Sequence, residues 1–150
     1  MDDWIAFLEG QSCGDCVVAC KTENETPEGM NRDWITYSTR CRYPDLSLTI
    51  QSERCNHCDN PPCVQVCPVG ATYQTDDGVV LVDREWCIGC GYCIMACPYG
   101  VRFFHPVHKV ADKCNFCYHR ITMGMNPACV ESCAFDARRI ANLREPDDPV

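Results

Sequence analysis

Sixteen cysteines stand in a chain of 150 residues, and they fall largely into four groups. The first, in LEGQSCGDCVVACK, spaces Cys13, Cys16 and Cys20 as C-x2-C-x3-C. The second, CNHCDNPPCVQVCPVGA, holds Cys55, Cys58, Cys63 and Cys67 ahead of Pro68. The third, CIGCGYCIMACPYG, holds Cys87, Cys90, Cys93 and Cys97 ahead of Pro98. The fourth, CNFCYHRITMGMNPACVESC, holds Cys114, Cys117, Cys129 and Cys133. Thiols at this density can pair as disulfides, close on zinc, or ligate iron–sulfur clusters.

The spacing favours the last. The third group reads C-x2-C-x2-C-x3-C-P, the run of bacterial ferredoxins. Three thiolates so close together let one tight loop wrap three irons of a cubane. The cysteine after x3 begins a helix and points away, toward the other cluster of a pair. Proline at the next position suits a first helical turn, where its missing N–H costs nothing. Gly89, Gly91 and Gly100 would let the backbone pass close to inorganic sulfide. Zinc takes separate C-x2-C pairs closing one tetrahedron and has no use for the third and fourth cysteines of such a run. The fourth group alone fits either metal; its company decides for iron. Committed as ligands, the cysteines cannot also be nucleophiles, and no nucleophile–base set stands out. The chain reads as non-catalytic.

Composition agrees. Cysteine exceeds the ~8–10% that marks a covalent or metal-bound scaffold. Without cysteine the hydrophobic share of 46% falls to roughly a third, thin for an independent apolar core. Disulfides would need export, and MDDWIAFLEGQS lacks the basic start and apolar stretch of a leader. No run approaches the ~18 apolar residues of a membrane span, so no direct insertion is expected. A net charge of −8, spread along the chain, excludes the basic face that nucleic acid requires.

The elements that must position these groups are short. Ala71–Gln74 and Val79–Asp83 flank Asp77-Gly78, a hairpin signal. VRFFHPVHKVADKC reads as strand, Pro106 turn, strand, and WITYSTRCRYPDLSLTIQ as two strands around Pro44-Asp45. Cluster loop, short helix and hairpin thus repeat. The expected fold is α+β: tandem ferredoxin-like pseudo-repeats, with short helices and β-hairpins packed around iron–sulfur clusters. Residues 1–150 form one polyferredoxin-like unit, with an inner pair over 52–113 and an outer pair from 8–51 and 114–150.

With the four groups in hand, the chain resembles the four-cluster iron–sulfur subunits of membrane-associated molybdopterin oxidoreductases, of the polysulfide, thiosulfate and dimethyl sulfoxide reductase type. ACKTENETPEG, the second and third groups with ATYQTDDGVVLVD and VRFFHP, KCNFCYHRITMGMNPACVESC and ANLREPDDPV carry the resemblance. It implies ligand sets of Cys87, Cys90 and Cys93 with Cys67; Cys55, Cys58 and Cys63 with Cys97; Cys114, Cys117 and Cys129 with Cys20; and Cys13 and Cys16 with Cys133. It implies a row of clusters running in that order from a quinone-reactive integral membrane subunit to a catalytic subunit bearing molybdenum or tungsten pterin. It also implies membrane association through those partners, on the extracytoplasmic face by co-export, with a cytoplasmic location as the alternative. Cysteine at Cys90, where some relatives have tryptophan, implies 4Fe–4S there. Three departures stand out: Ala134 in place of proline, Gly10 where a first cysteine is expected, and a chain that stops soon after the last group.

Family matching leaves Cys41 over, beside the Tyr43-Pro44 turn. Three readings are open. Cys41 replaces the Gly10 thiolate; or the cluster at Cys13, Cys16 and Cys133 is 3Fe–4S or takes another ligand; or Cys41 is an inert packed side chain. The other three clusters are expected as 4Fe–4S. His57, inside CNHC, is expected to pack against or hydrogen-bond a cluster; His105, His108 and His119 are expected at the surface. Trp34 and Trp86 are expected as lids over clusters. Lys21 and Lys113 adjoin ligands and offset cluster charge, or else are solvated. The function expected is electron relay between membrane and catalytic subunits; the alternatives are a freestanding soluble polyferredoxin and, more remotely, a zinc-stabilised interaction module.

Overall fold

The structure, a computed structural model, describes residues 14–141. Gly10 and Cys13 lie outside the described residues. Helix α1 (Asp15–Glu23) leads into a hairpin of β1 (Asp33–Arg40) and β2 (Ser47–Arg54). Then come α2 (Pro62–Gln65), β3 (Thr72–Gln74), β4 (Val80–Val82), α3 (Tyr92–Met95), β5 (Phe103–Phe104), β6 (Ala111–Asp112), α4 (Tyr118–Ile121) and α5 (Ala128–Glu131). The strands form three separate two-stranded antiparallel sheets. Short helices alternating with hairpins make this an α+β chain, as expected.

The first hairpin runs in register from Asp33↔Arg54 to Arg40↔Ser47. Its base is buried and its outer half is exposed. The other two hairpins are near copies. Thr72↔Val82, Tyr73↔Leu81 and Gln74↔Val80 pair in one; Phe103↔Asp112 and Phe104↔Ala111 pair in the other. Beyond those pairs Thr75 N donates to Val79 O at 2.9 Å, and His105 N to Val110 O at 2.8 Å. Superposing these bonds matches Val79 with Val110, Val80 with Ala111, Leu81 with Asp112 and Val82 with Lys113. The β5–β6 hairpin has one extra turn residue.

A second repeated device follows three of the helices. Cys67 N donates to Val64 O and Gly70 N to Cys67 O; Cys97 N to Ile94 O and Gly100 N to Cys97 O; Cys133 N to Val130 O and Asp136 N to Cys133 O. Ala134 in place of proline leaves this turn intact. Its last residue is left-handed each time, at φ 68° for Gly70, 62° for Gly100 and 50° for Asp136. Aspartate is among the few side chains that tolerate this conformation.

The apolar core is small: Cys63, Val80, Cys93 and Ala111, with Val64, Cys87 and Ile94 packed on it. Buried charge supplements it. Arg138 binds Asp33, one of the most buried side chains, at 2.5 Å. Arg138 also donates to Ser52 Oγ at 2.7 Å, tying the C-terminal segment to the hairpin base. Arg32 and Asp112, both buried, pair at 2.8 Å and join the α1–β1 connection to β6. Removing one member of a buried pair leaves an uncompensated charge. Asp33→Ala is therefore expected to lower stability by about 3–5 kcal/mol, read from the chemical-denaturation midpoint. An unchanged midpoint would show that Arg138 finds water instead.

Candidate iron–sulfur sites

Three of the C-x2-C loops share one backbone device. The residue just before the second cysteine is left-handed in each: His57 at φ 43°, Gly89 at 68° and Phe116 at 59°. This reverses the chain so that both sulfurs face the same side. At Gly89 no other residue fits, since a Cβ would lie 2.3 Å from the Lys109 carbonyl oxygen. Gly91 and Gly100 have no protein atom within 4 Å of such a Cβ; their positive φ is what selects glycine.

Two cavities gather cysteines. The first is lined by Cys55, Cys58 and Cys63 together with Cys97. The second is lined by Cys114, Cys117 and Cys129 together with Cys20. Each joins three thiols of one group to the last thiol of another. Cys87 and Cys93 pack on the common core, whereas Cys90 is exposed. Gly14 and Gly91 occupy equivalent places, at φ 66° and 79° before α1 and α3. The bonds Val17 N→Gly14 O (2.8 Å) and Ile94 N→Gly91 O (3.0 Å) match as well. This register equates Cys16 with Cys93 and Cys20 with Cys97.

The chemistry of these sulfurs suits metal-bound thiolates. Arg102 Nη2 donates to Cys63 Sγ at 3.0 Å. Thr72 N donates to Cys67 Sγ at 3.4 Å, and Ala137 N to Cys133 Sγ at 3.3 Å. Asn24 Nδ2 reaches Cys117 Sγ at 3.6 Å and Cys20 Sγ at 3.8 Å. Burial pushes the Cys20 thiol up to about 12 and the Cys114 thiol to about 11, so a metal must displace their protons. At Cys67 burial acts in the same sense, but backbone N–H groups of Thr72, Val69 and Ala71 outweigh it and hold the thiol below its usual range. Among the described residues no three His, Cys, Asp or Glu side chains close on one ion. Thiols spread around a cavity wall fit a cluster offering each its own iron better than a single tetrahedral zinc.

Several expectations change. Cys41 is exposed, at φ 73°, at the far turn of the β1–β2 hairpin. The Asp33–Arg138 pair at the hairpin base acts electrostatically on Cys16. Eight residues of strand separate Asp33 from Cys41, about 26 Å at the usual rise. The structure therefore does not bring Cys41 to Cys16 and Cys133, and a replacement thiolate from this turn loses its geometric basis. Cys41→Ser is expected to leave iron content and electron-paramagnetic-resonance (EPR) spectra unchanged; loss of one iron or one cluster would restore it as a ligand.

Trp86, expected as a lid, is 68% exposed among the described residues. It stands among other exposed apolar residues, Ile88, Tyr92 and Met95, around the third group. Trp34 is partly buried. His105, expected at the surface, is buried, because its Nδ1 accepts from Val107 N and His108 N and closes the β5–β6 turn. His119 lies at the surface against Glu23 Oε1 at 2.6 Å. His57 Nδ1 accepts from Val80 N at 2.9 Å and its ring meets Phe116 at 4.5 Å. Burial, with Lys113, Arg102 and Arg54 nearby, lowers its pKa to about 3, so it stays neutral. Lys113 is not solvated: only 2% exposed, its Nζ donates to the carbonyls of Val80 and Cys114. Arg102, buried beside it, was missed by sequence reasoning. Its place five residues after Cys97, just before the first strand of a hairpin, was the available signal.

The comparisons agree with this chemistry. Two 4Fe-4S dicluster domain families match, over residues 46–143 and 11–71. A tetrathionate reductase subunit of Salmonella typhimurium is 48% identical over 136 residues, 89% of this chain and 54% of that protein. The thiosulfate reductase electron transfer subunit of Salmonella typhi is 45% identical over 136 residues, 89% of this chain and 71% of its own length. A tetrathionate reductase subunit of Archaeoglobus fulgidus is 53% identical over 110 residues, 73% of this chain and 51% of its own length. The chain thus spans from about half to seven-tenths of these relatives. It belongs to the 4Fe-4S dicluster family.

Proposed function

We propose that this chain is the electron-transfer subunit of a respiratory reductase complex, holding four iron–sulfur clusters and performing no substrate chemistry itself. The observation that carries the reading is the pair of cavities in which three thiols of one group meet the last thiol of another. Bound clusters supply one-electron redox capacity. The chain's own residues hold them, exclude water and donate N–H groups to sulfur. Cys55, Cys58, Cys63 and Cys97 form one ligand set, and Cys114, Cys117, Cys129 and Cys20 another. The shared turn after α2 and α3 gives Cys67 the role of Cys97, as fourth ligand to Cys87, Cys90 and Cys93. The same turn after α5, which packs against α1, supports Cys133 as the partner of Cys16, and with it of Cys13, in the last set. That last set has three cysteines and takes a 3Fe–4S cluster or a non-cysteine fourth ligand. Residues 52–113 make the inner pair; 8–51 and 114–150 make the outer pair.

The partners follow from exposure and from the relatives' names. Those names describe subunits of reductases, so a catalytic subunit of the molybdopterin type, with molybdenum or tungsten, is the proposed acceptor or donor at one end. At the other end, the exposed apolar residues around the third group suit an integral membrane, quinone-reactive subunit. No helix among the described residues is long and apolar enough to cross a membrane. Membrane attachment is proposed through that partner, on the extracytoplasmic face as the family resemblance implies. Anaerobic purification from the native membrane tests this. About fifteen or sixteen irons per chain, with a large pterin protein in the same complex, are expected. Zinc as the main metal would sink the cluster reading. An iron-loaded monomer with no partner would establish a freestanding polyferredoxin instead.

A further inference from the structure

The two inner sites are built as copies, and they differ in one respect. Matching the turns after Cys67 and Cys97 places Thr72 opposite Arg102, and matching the hairpins places Val82 opposite Lys113. Thr72 and Arg102 are both buried. One copy therefore carries a hydroxyl and an isopropyl group where the other carries two cations. Arg102 donates to Cys63 Sγ at 3.0 Å and lines the Cys55–Cys58–Cys63–Cys97 cavity. Lys113, adjacent to Cys114, has Cys55 and Cys63 among its electrostatic partners and its Nζ on Cys114 O at 2.8 Å. It stands between the two cysteine-lined cavities.

We infer that Arg102 and Lys113 make the cluster in the Cys55–Cys58–Cys63–Cys97 cavity the higher-potential member of the inner pair, with Lys113 also raising the cluster in the Cys20–Cys114–Cys117–Cys129 cavity. The inference rests on the four-cluster reading above. Taking up one electron adds one negative charge to a cluster. A cation held out of water beside it favours the reduced form, since screening by solvent is weak there. A hydrogen bond to a ligand sulfur acts in the same direction, and cluster potentials respond to both. At the twin site, Thr72 and Val82 supply neither charge. The pair is thus graded by two residues flanking the β5–β6 hairpin rather than by its ligands, which are four cysteines in each case.

The test is an EPR-monitored redox titration of the anaerobic holoprotein, each signal being assigned from the ligand variant that alters it. In the unaltered protein, the Cys55-cavity cluster should exceed its twin by at least tenfold in the one-electron equilibrium, 59 mV. Arg102→Thr and Lys113→Val install the twin's own residues. Arg102→Thr should lower that one cluster alone. Lys113→Val should lower it together with the Cys114-cavity cluster, and Lys113→Arg should restore both. The twin should stay fixed throughout. Equal or reversed potentials in the unaltered protein overturn the inference, and they do so even if neither variant loads iron. Variants with full iron and unmoved potentials overturn it equally. Absence of any iron–sulfur signal in the unaltered protein would overturn the four-cluster reading, and this inference with it.

Discussion

Cys97→Ser should cost the second cysteine group its cluster and leave the third group's cluster in place, although Cys97 sits within the third group's own run. The expectation comes from Cys97 lining the cavity of Cys55, Cys58 and Cys63. With three thiols remaining, that site either loses its cluster, about four irons, or retains a three-iron form, a loss of about one. Cys20→Ser should act in the same way on Cys114, Cys117 and Cys129, with which it shares a cavity. Iron analysis and EPR of anaerobic protein read both. Loss of the signal belonging to Cys87, Cys90 and Cys93 after Cys97→Ser would sink the crossed ligand assignment. Electron delivery should fall severely in either variant, because one carrier in the row is gone or altered.

The second large effect concerns docking. Met95 is 75% exposed and Ile88 65%, with Trp86 and Tyr92 beside them, around the exposed Cys90. If a partner covers this ring, each large side chain contributes ~1.5–3 kcal/mol by its burial. Replacing both Ile88 and Met95 by Glu forfeits at least about 3 kcal/mol, which is roughly a hundredfold in affinity. The double variant should keep its full iron content, since neither side chain is a ligand, while losing co-purification with the proposed membrane subunit and the quinol-driven reduction proposed through it. Undiminished quinol-driven reduction would show that the ring faces solvent in the complex.

Much of the site was legible because its chemistry is local. The C-x2-C spacing and Asp77-Gly78 each act over a few residues, and the cysteine loops and hairpins formed where those signals stand. Pro68 and Pro98, expected in first helical turns, lie instead in turns after α2 and α3, so Cys67 and Cys97 follow a helix rather than begin one. What the local pattern could not convey is which side of the molecule a residue meets. Trp86 and His105 differ from expectation for this reason: the tryptophan stands exposed among the described residues, and the histidine ring is taken by two backbone N–H groups of its own turn. Lys113 reads as solvated or as buried with equal ease until its Nζ is found on Val80 O, more than thirty residues away. A sixteenth cysteine invites pairing with a vacant sixteenth position, whereas the fold puts Cys41 exposed at the far end of an eight-residue strand whose base, at Asp33, acts on Cys16.

The cavity shared by Cys20 with Cys114, Cys117 and Cys129 also sets a schedule for biosynthesis. Cys20 leaves the ribosome roughly a hundred residues before Cys129, which at about 5–20 residues/s is a wait of about 5–20 s. The inner cavity closes sooner, once Cys97 has emerged behind Cys55. Through that interval α1 carries a thiol whose partners do not yet exist, open to oxidation or to capture of a stray metal. Emergence of Cys129 thus becomes the event that closes the outer site, and a translation product truncated before it leaves that thiol permanently unmatched.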